Sequence, residues 1–153
     1  MALVFAFLIG LFAGLRSLTA PAAAAWAAHL GWLKLHGALA LIGSTASVAI
    51  FTMVAAAELV ADKLPNTPNR TSPLGLIARI VMGGLTGACV AAGGGSGVFP
   101  GAVFGVVGGI VGCFGGYEIR KRLVTALNAP DLYIALIEDL VAIAGSLWAV
   151  SRF

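Results

Sequence analysis

The chain has 153 residues, of which 60% are hydrophobic and only 10% are charged, with an excess of three positive charges. A soluble domain is about a quarter charged, and a water-soluble fold this apolar would expose large hydrophobic patches. This composition excludes an ordinary soluble protein, and we expect the lipid bilayer rather than nucleic acid as its partner. The length fits one domain, so we predict a single polytopic transmembrane domain over residues 1–153.

Six apolar segments follow one another along the chain. In chain order they are Ala2–Leu15, Ala20–Leu33, Gly37–Ala61, Leu74–Ala92, Gly97–Tyr117 and Pro130–Val150. A spanning helix needs about 20 residues, which the last four segments reach, and the third is the cleanest single span. None alternates polar and apolar positions as a barrel strand would. The pattern predicts an all-α integral membrane protein, a bundle of five or six transmembrane or re-entrant helices.

The first two segments are short for spanning helices. They are either tilted spans or two half-helices of a re-entrant hairpin, and the sequence leaves both open. Arg16 follows the first apolar run instead of preceding it, which favours a retained helix over a signal peptide. Pro21 and Pro130 stand where helices are expected to begin. The stretch Leu64–Pro73 contains three prolines and is predicted to be a loop.

The charged residues gather on one side of the predicted membrane. The side opposite the N-terminus receives all six acidic residues and six basic ones, while the N-terminal side receives only Lys34 and Arg152. The positive-inside rule then makes the charged side cytoplasmic. We therefore predict that the loops Lys63–Pro73 and Glu118–Asp131 are cytoplasmic and that the turn Gly93–Gly97 is external.

Glycines recur every four residues in the fifth segment. Such spacing places them on one helical stripe, where a second helix can approach closely. We predict helix packing through Gly97, Gly101, Gly105, Gly109, Gly112 and Gly116, although a smooth wall for a solute or lipid would use the same pattern. Similar short motifs end segments one and five, which is consistent with a parallel internal repeat of helical hairpins.

Several charged residues lie inside the apolar segments. Arg79 is six residues past Pro73, about 9 Å along its helix, and Glu138 is eight past Pro130, about 12 Å in. A charge at such depth costs a few kcal/mol unless it is paired or solvated. One interpretation is a structural pair of Arg79 with Glu138 or with Glu58. The other is a cytoplasm-facing polar pocket, since intramembrane ionisable groups mark functional sites by default.

The predicted pocket and its loop form one set of candidate site residues. The pocket residues are Arg16, Glu58, Asp62, Arg79, Glu138 and Asp139, with Arg16 included if the first hairpin is re-entrant. Loop contacts are predicted for Lys63, Asn66, Thr67 and Arg70, although a rigid connector is the more frequent use of such a loop. No phosphate-binding loop, metal-spaced histidine pair or nucleophile–base pair occurs in the sequence, so we expect no catalytic residues, cofactor or metal.

The sequence resembles one known family. The early GLRS with Pro21 and Trp26, the stretch AAELVADKLPNTPNRTSP, and Arg79 before a glycine-rich helix resemble the small membrane proteins catalogued as domain of unknown function 4126. The stretch from Glu58 to Pro73 is the most specific part. The resemblance implies a bacterial membrane protein of several helices and implies no activity.

Three functional hypotheses follow. The first is a small transporter or channel-like subunit of the bacterial cytoplasmic membrane, homo-oligomeric, whose carboxylates bind a cation or proton or whose arginines hold an anion. The second is an intramembrane enzyme acting on a lipid head group. The third is a scaffold without chemistry. A continuous water path would favour transport, a metal in a polar pocket would favour the enzyme, and full pairing of the charges without a cavity would favour the scaffold.

Overall fold

The computed structural model describes residues 1–63, 72–128 and 130–153. Within these ranges all regular secondary structure is helical, which confirms the predicted all-α class. A short 3₁₀ helix at Gly37–Gly43 precedes the third of the α-helices, which are α1 (Ala2–Leu15), α2 (Thr19–His29), α3 (Thr45–Ala61), α4 (Pro73–Gly93), α5 (Val98–Leu127) and α6 (Asp131–Val150).

Three of these helices, α4, α5 and α6, are long and apolar enough to cross a membrane. The 3₁₀ helix and α3 add a fourth crossing if the bent pair counts as one span. Helix α1 is apolar but has only 14 residues, about 21 Å of rise against a hydrocarbon core of about 30 Å. The chain is therefore a membrane protein with several apolar helices, while the predicted five or six spans stay a prediction.

The third segment is not one continuous helix. The 3₁₀ helix and α3 are bent by 61° at the break between them. Ser44 causes the interruption, because it has an extended backbone (ψ 149°) and its hydroxyl accepts a hydrogen bond from the Ser47 amide, which starts a new helix. The sequence does carry this signal, a serine followed by a helical run, but the uninterrupted hydrophobicity concealed it.

Other helix boundaries also differ from the predicted ones. Helix α2 begins at Thr19, which places Pro21 within its first turn, where a missing amide hydrogen does no harm. Helix α5 continues to Leu127, so most of the predicted Glu118–Asp131 loop is helical. It ends at Asn128, whose left-handed backbone (φ 46°) is a common helix terminator. At 30 residues α5 is about 45 Å long, enough to carry its charged end beyond the hydrocarbon core.

Helix α1 is the central element of the bundle. It packs mainly on α5 and α4, with further contacts to α6. Ala6, Ile9 and Ala13 on α1 are completely buried. A helix that is apolar on all sides is suited to this position, because other helices surround it. Because Arg16 directly follows α1, it lies in the interior of the protein.

The glycines of α5 allow its close approach to two neighbours. A Cβ atom added to Gly105 would lie 2.9 Å from the Gly83 carbonyl carbon and from Gly87 Cα on α4. One added to Gly108 would lie 2.8 Å from the Leu11 amide nitrogen on α1. Carbon atoms in favourable contact are about 3.5–4.0 Å apart, so larger residues would force these helices to separate.

The remaining predicted packing glycines occupy different positions. Gly101 and Gly109 lie in the same α4-facing row as Gly105, and Gly112 packs against α1. Gly97 is outside the interface, since it is the N-cap of α5 and a Cβ there would meet only the Pro100 ring. Gly116 is buried.

Candidate functional site: a charged cluster inside the bundle

Arg16 is the centre of a charged cluster formed by the ends of α1 and α3 and the interior of α6. It lies directly after α1 and its side chain is completely buried. Its Nε donates a hydrogen bond to Asp139 Oδ1 at 2.6 Å, and its Nη2 lies 2.6 Å from the same oxygen. Its Nη1 forms an ion pair with Asp62 at the end of α3. One guanidinium thus joins two carboxylates on different helices.

Lys63 adds a second cation to this cluster. Its Nζ donates to Asp139 Oδ2 at 2.6 Å and to the Leu59 carbonyl oxygen at 2.7 Å. Asp139 therefore holds a different cation on each oxygen and is only 6% exposed. Arg16, Lys63, Asp62 and Asp139 are formally neutral together. We call these four residues the charged cluster.

Glu58 lies beside the cluster and holds the start of α2. Its Oε1 accepts hydrogen bonds from the Ser17 amide at 2.8 Å and the Ser17 hydroxyl at 2.6 Å. Its Oε2 accepts from the Leu18 amide at 2.8 Å. Leu18 is the N-cap of α2 and Ser17 precedes it, so both amides lie at the N-terminal end of the helix, where N–H groups lack partners within the helix and a negative charge is favoured. Glu58, which lies on α3, therefore stabilises the turn between α1 and α2.

Arg79 is buried in α4 and binds backbone oxygens. Its Nε donates to the Gly14 carbonyl at 3.0 Å, and its Nη1 donates to the Gly75 carbonyl at 2.9 Å. Gly14 carries no side chain, so the guanidinium can reach the end of α1 just two residues before Arg16. Arg79 is only 5% exposed. These contacts join α4 to the same region of α1 that carries the charged cluster.

Glu138 on α6 forms an ion pair with a cation on α5. Its Oε2 lies 3.4 Å from Nη1 of Arg120 on α5. Arg120 also pairs with Asp131, through Nη2 to Oδ2 at 2.6 Å and Nε to Oδ1 at 2.8 Å. The described contacts thus place Glu138 with Arg120, and Arg79 with backbone carbonyls. The pairs considered from the sequence, Arg79 with Glu138 or Glu58, are not the ones that these contacts form.

The structure brings part of the predicted set together. Arg16, Asp62, Asp139 and Lys63 meet in one cluster with Glu58 beside it, and neither Arg79 nor Glu138 is among the contacts of that cluster described above. Asn66, Thr67 and Arg70 lie outside the described residues. Within the part of the chain that the structure describes, no three His, Cys, Asp or Glu side chains form a group able to hold a metal ion.

Comparison with known proteins places the chain in a family. The family model described as Domain of unknown function (DUF4126) matches residues 3–152. The chain belongs to this family. No curated protein and no solved structure matches it. The match confirms the resemblance that the GLRS and Glu58–Pro73 stretches indicated, and it covers both the charged cluster and the glycine-packed helices of this DUF4126 protein.

The DUF4126 chain also contains a groove on the side of the bundle. This groove, of about 250 Å³, lies between α2, α3 and α6. On its wall the Trp26 indole nitrogen donates a hydrogen bond to the Thr52 hydroxyl at 3.1 Å. The side chains that line the groove come from helices far apart in the chain, so no local sequence pattern indicates it.

Proposed function

We propose that this protein is a small membrane transport protein, a transporter or channel-like subunit for an ion, proton or small polar solute. The observation that carries the proposal is the complete burial of Arg16 between Asp62 and Asp139 in a bundle of mainly apolar helices. Ionisable groups within a membrane are expensive to bury and typically line ion, proton or substrate paths.

The break between α1 and α2 supports this proposal. Two helices of 14 and 11 residues meet at residues 16–18, next to the charged cluster. Many secondary transporters bind solute where helices are interrupted, because the helix ends there expose unpaired amides and carbonyls. In this chain the amides of Ser17 and Leu18 bind the Glu58 carboxylate. We propose that the charged cluster, with Glu58, forms the solute or ion site in a closed state.

The setting of this site belongs to the same proposal. We propose the bacterial cytoplasmic membrane, with the charged ends of α3, α5 and α6 on the cytoplasmic side, because basic residues are concentrated there. We also propose a homo-oligomer, since a chain of this size has few helices with which to surround a polar path by itself.

A scaffold without chemistry is the second candidate, and one observation favours it. Each member of the charged cluster has an ion-pair partner, and the groove described above has mainly apolar walls. Buried pairs of this kind often set helix register without any further role.

A double-mutant cycle on Arg16 and Asp139 separates the two candidates. The variants are Arg16→Gln, Asp139→Asn and the double, with Glu118→Gln as control, because Glu118 forms an exposed pair with Arg122. If the pair is purely structural, each single change should lower the free energy of unfolding by about 3–5 kcal/mol. The double variant should recover most of this stability, because the charges of Lys63 and Asp62 that remain cancel. The transport proposal predicts smaller single losses, because water entering the path can solvate the remaining charge.

Flux measurements on the same variants complete the test. Proteoliposomes of each variant are assayed for H⁺, Na⁺, K⁺ and Cl⁻ movement. We expect a protein-dependent flux that both single changes and the double abolish and that Glu118→Gln retains. Restored stability in the double variant, with no flux of any of these ions in the parent protein, would refute transport of these ions and leave the scaffold.

A further inference from the structure

The groove between α2, α3 and α6 has the shape and chemistry of a site for a chain-like apolar ligand. Its walls include Ala22 on α2, Ala56 and Leu59 on α3, and Ile143 and Leu147 on α6. At about 250 Å³ it is larger than an engineered cavity of about 150 Å³ that holds benzene, and smaller than the pockets of roughly 300–1,000 Å³ that hold drug-sized molecules. A narrow hydrocarbon chain fits between these limits.

The groove opens sideways, towards the surroundings of the bundle. Trp26 and Leu147 on its walls remain 43% and 45% exposed. Because α6 is one of the helices able to cross the membrane, a side opening here faces lipid and not water. Lipid chains therefore have direct access to the groove.

Thr19 gives the groove an unsatisfied polar atom. Its side chain is only 7% exposed, and its hydroxyl has no hydrogen-bond partner. The oxygen itself is shielded in this structure, and a buried polar group left unpaired costs roughly 1–3 kcal/mol. Rotation of the Thr19 side chain towards the groove would give the hydroxyl a partner in a ligand that carries an acceptor. The other hydroxyl on the groove wall, that of Thr52, already accepts from Trp26.

The position of Thr19 orients the ligand. Thr19 is three residues from Arg16, and the carbonyl of the groove residue Leu59 accepts a hydrogen bond from Lys63. This end of the groove therefore adjoins the charged cluster, while Trp26 and Leu147 lie further along the helices. An amphipathic ligand would place its polar part beside Thr19 and its chain along α6.

We propose that the groove binds one acyl chain of a bilayer glycerolipid, and that the Thr19 hydroxyl turns towards the groove to donate a hydrogen bond to an ester carbonyl oxygen of that lipid. A glycerolipid has both parts at the required spacing, because its ester oxygens lie where the acyl chain meets the polar head. The lipid enters laterally from the leaflet at the charged end of the bundle. This site does not depend on the transport proposal, because none of the four residues of the charged cluster lines the groove.

Native mass spectrometry of the full chain tests the site. The protein is purified in mild detergent, supplied with dioleoyl phosphatidylglycerol or dioleoyl phosphatidylcholine, and examined for retained lipid. Ala56→Phe fills the groove, and Ala57→Phe is the matched control, because Ala57 is exposed on the same helix but does not line the groove. Thr19→Val removes the hydroxyl with little change in shape, and Thr19→Ser keeps it.

We expect one tightly retained lipid on the parent, on Ala57→Phe and on Thr19→Ser. Ala56→Phe should lose it, and Thr19→Val should bind it about fivefold more weakly, the loss expected for one hydrogen bond. Equal retention by Ala56→Phe and the parent would overturn the site, and equal affinity of Thr19→Val and Thr19→Ser would overturn the role of the hydroxyl. If Ala56→Phe instead converts dimers to monomers and leaves lipid retention unchanged, a second copy of the chain covers the groove and the proposal is wrong.

Fluorescence provides an independent measurement in a bilayer. Trp32→Phe with Trp148→Phe leaves Trp26 as the single tryptophan, and it lines the groove. Phosphatidylcholine brominated on its acyl chains should quench Trp26 strongly in this protein and in its Ala57→Phe variant. Quenching should fall at least twofold when Ala56→Phe is added. The same quenching in all three proteins would show that no chain enters the groove.

Discussion

Replacing one glycine of α5 tests how closely this helix packs against α4. Gly105→Ala adds a Cβ that would lie 2.9 Å from the Gly83 carbonyl carbon and from Gly87 Cα. The Cβ would meet the Gly83 carbonyl oxygen first, and all three are backbone atoms that cannot rotate away. Helix α4 must therefore move by at least about 0.6 Å to restore carbon–carbon contacts of about 3.5–4.0 Å. Overpacking of this kind typically costs about 1–3 kcal/mol.

A second glycine of the same helix provides a matched control. A Cβ added to Gly115 meets no atom within 4 Å. Gly115→Ala should therefore stabilise the protein by up to about 1 kcal/mol, because alanine is the better helix former. Gly105→Ala gains the same intrinsic term, so the difference between the two variants isolates the packing penalty. We expect Gly105→Ala to be less stable than Gly115→Ala by about 1–3 kcal/mol.

Two native cysteines make this difference measurable. The side chains of Cys89 and Cys113 are completely buried, so a thiol-specific fluorescent dye reacts with them only when the bundle opens. Thermal unfolding in detergent with this dye should give a lower midpoint for Gly105→Ala than for Gly115→Ala, by about 2–4 °C for each kcal/mol. Equal midpoints, or a higher one for Gly105→Ala, would refute the close α4–α5 packing.

Two further predictions concern topology and the α1–α2 break. On a cysteine-free background, a membrane-impermeant reagent applied to intact cells should label a cysteine at Ser96 but not one at Lys121, and the reverse pattern would invert the proposed orientation. Glu58→Ala should destabilise the protein by about 1–3 kcal/mol, because the Ser17 and Leu18 amides just before α2 lose their acceptor. Glu118→Gln at the exposed pair should stay within about 0.5 kcal/mol of the parent, and a similar effect for both variants would show that Glu58 does not hold α2.

Local sequence signals predicted the helices better than their ends. Hydrophobic length alone indicated α4, α5 and α6, because a lipid-exposed segment must be apolar over about 20 residues wherever its neighbours lie. The same signal failed at Ser44, since a 61° bend inside an apolar run leaves the average hydrophobicity unchanged. It failed again after Tyr117, where α5 continues to Leu127 through charged residues that resemble a loop by composition.

The sequence by itself determined that this is an all-α membrane protein of the DUF4126 family, and it predicted the side on which the charges gather. Only the tertiary structure decided which charges meet. Arg16 and Asp139 are 123 residues apart in the chain, and their contact depends on α1 being buried at the centre of the bundle with its end beside α6. Helical periodicity specifies which face of a helix is apolar, but the rotation and depth of one helix against another arise from packing between distant segments. For the same physical reason the groove that Thr19 shares with α3 and α6 became apparent only in three dimensions.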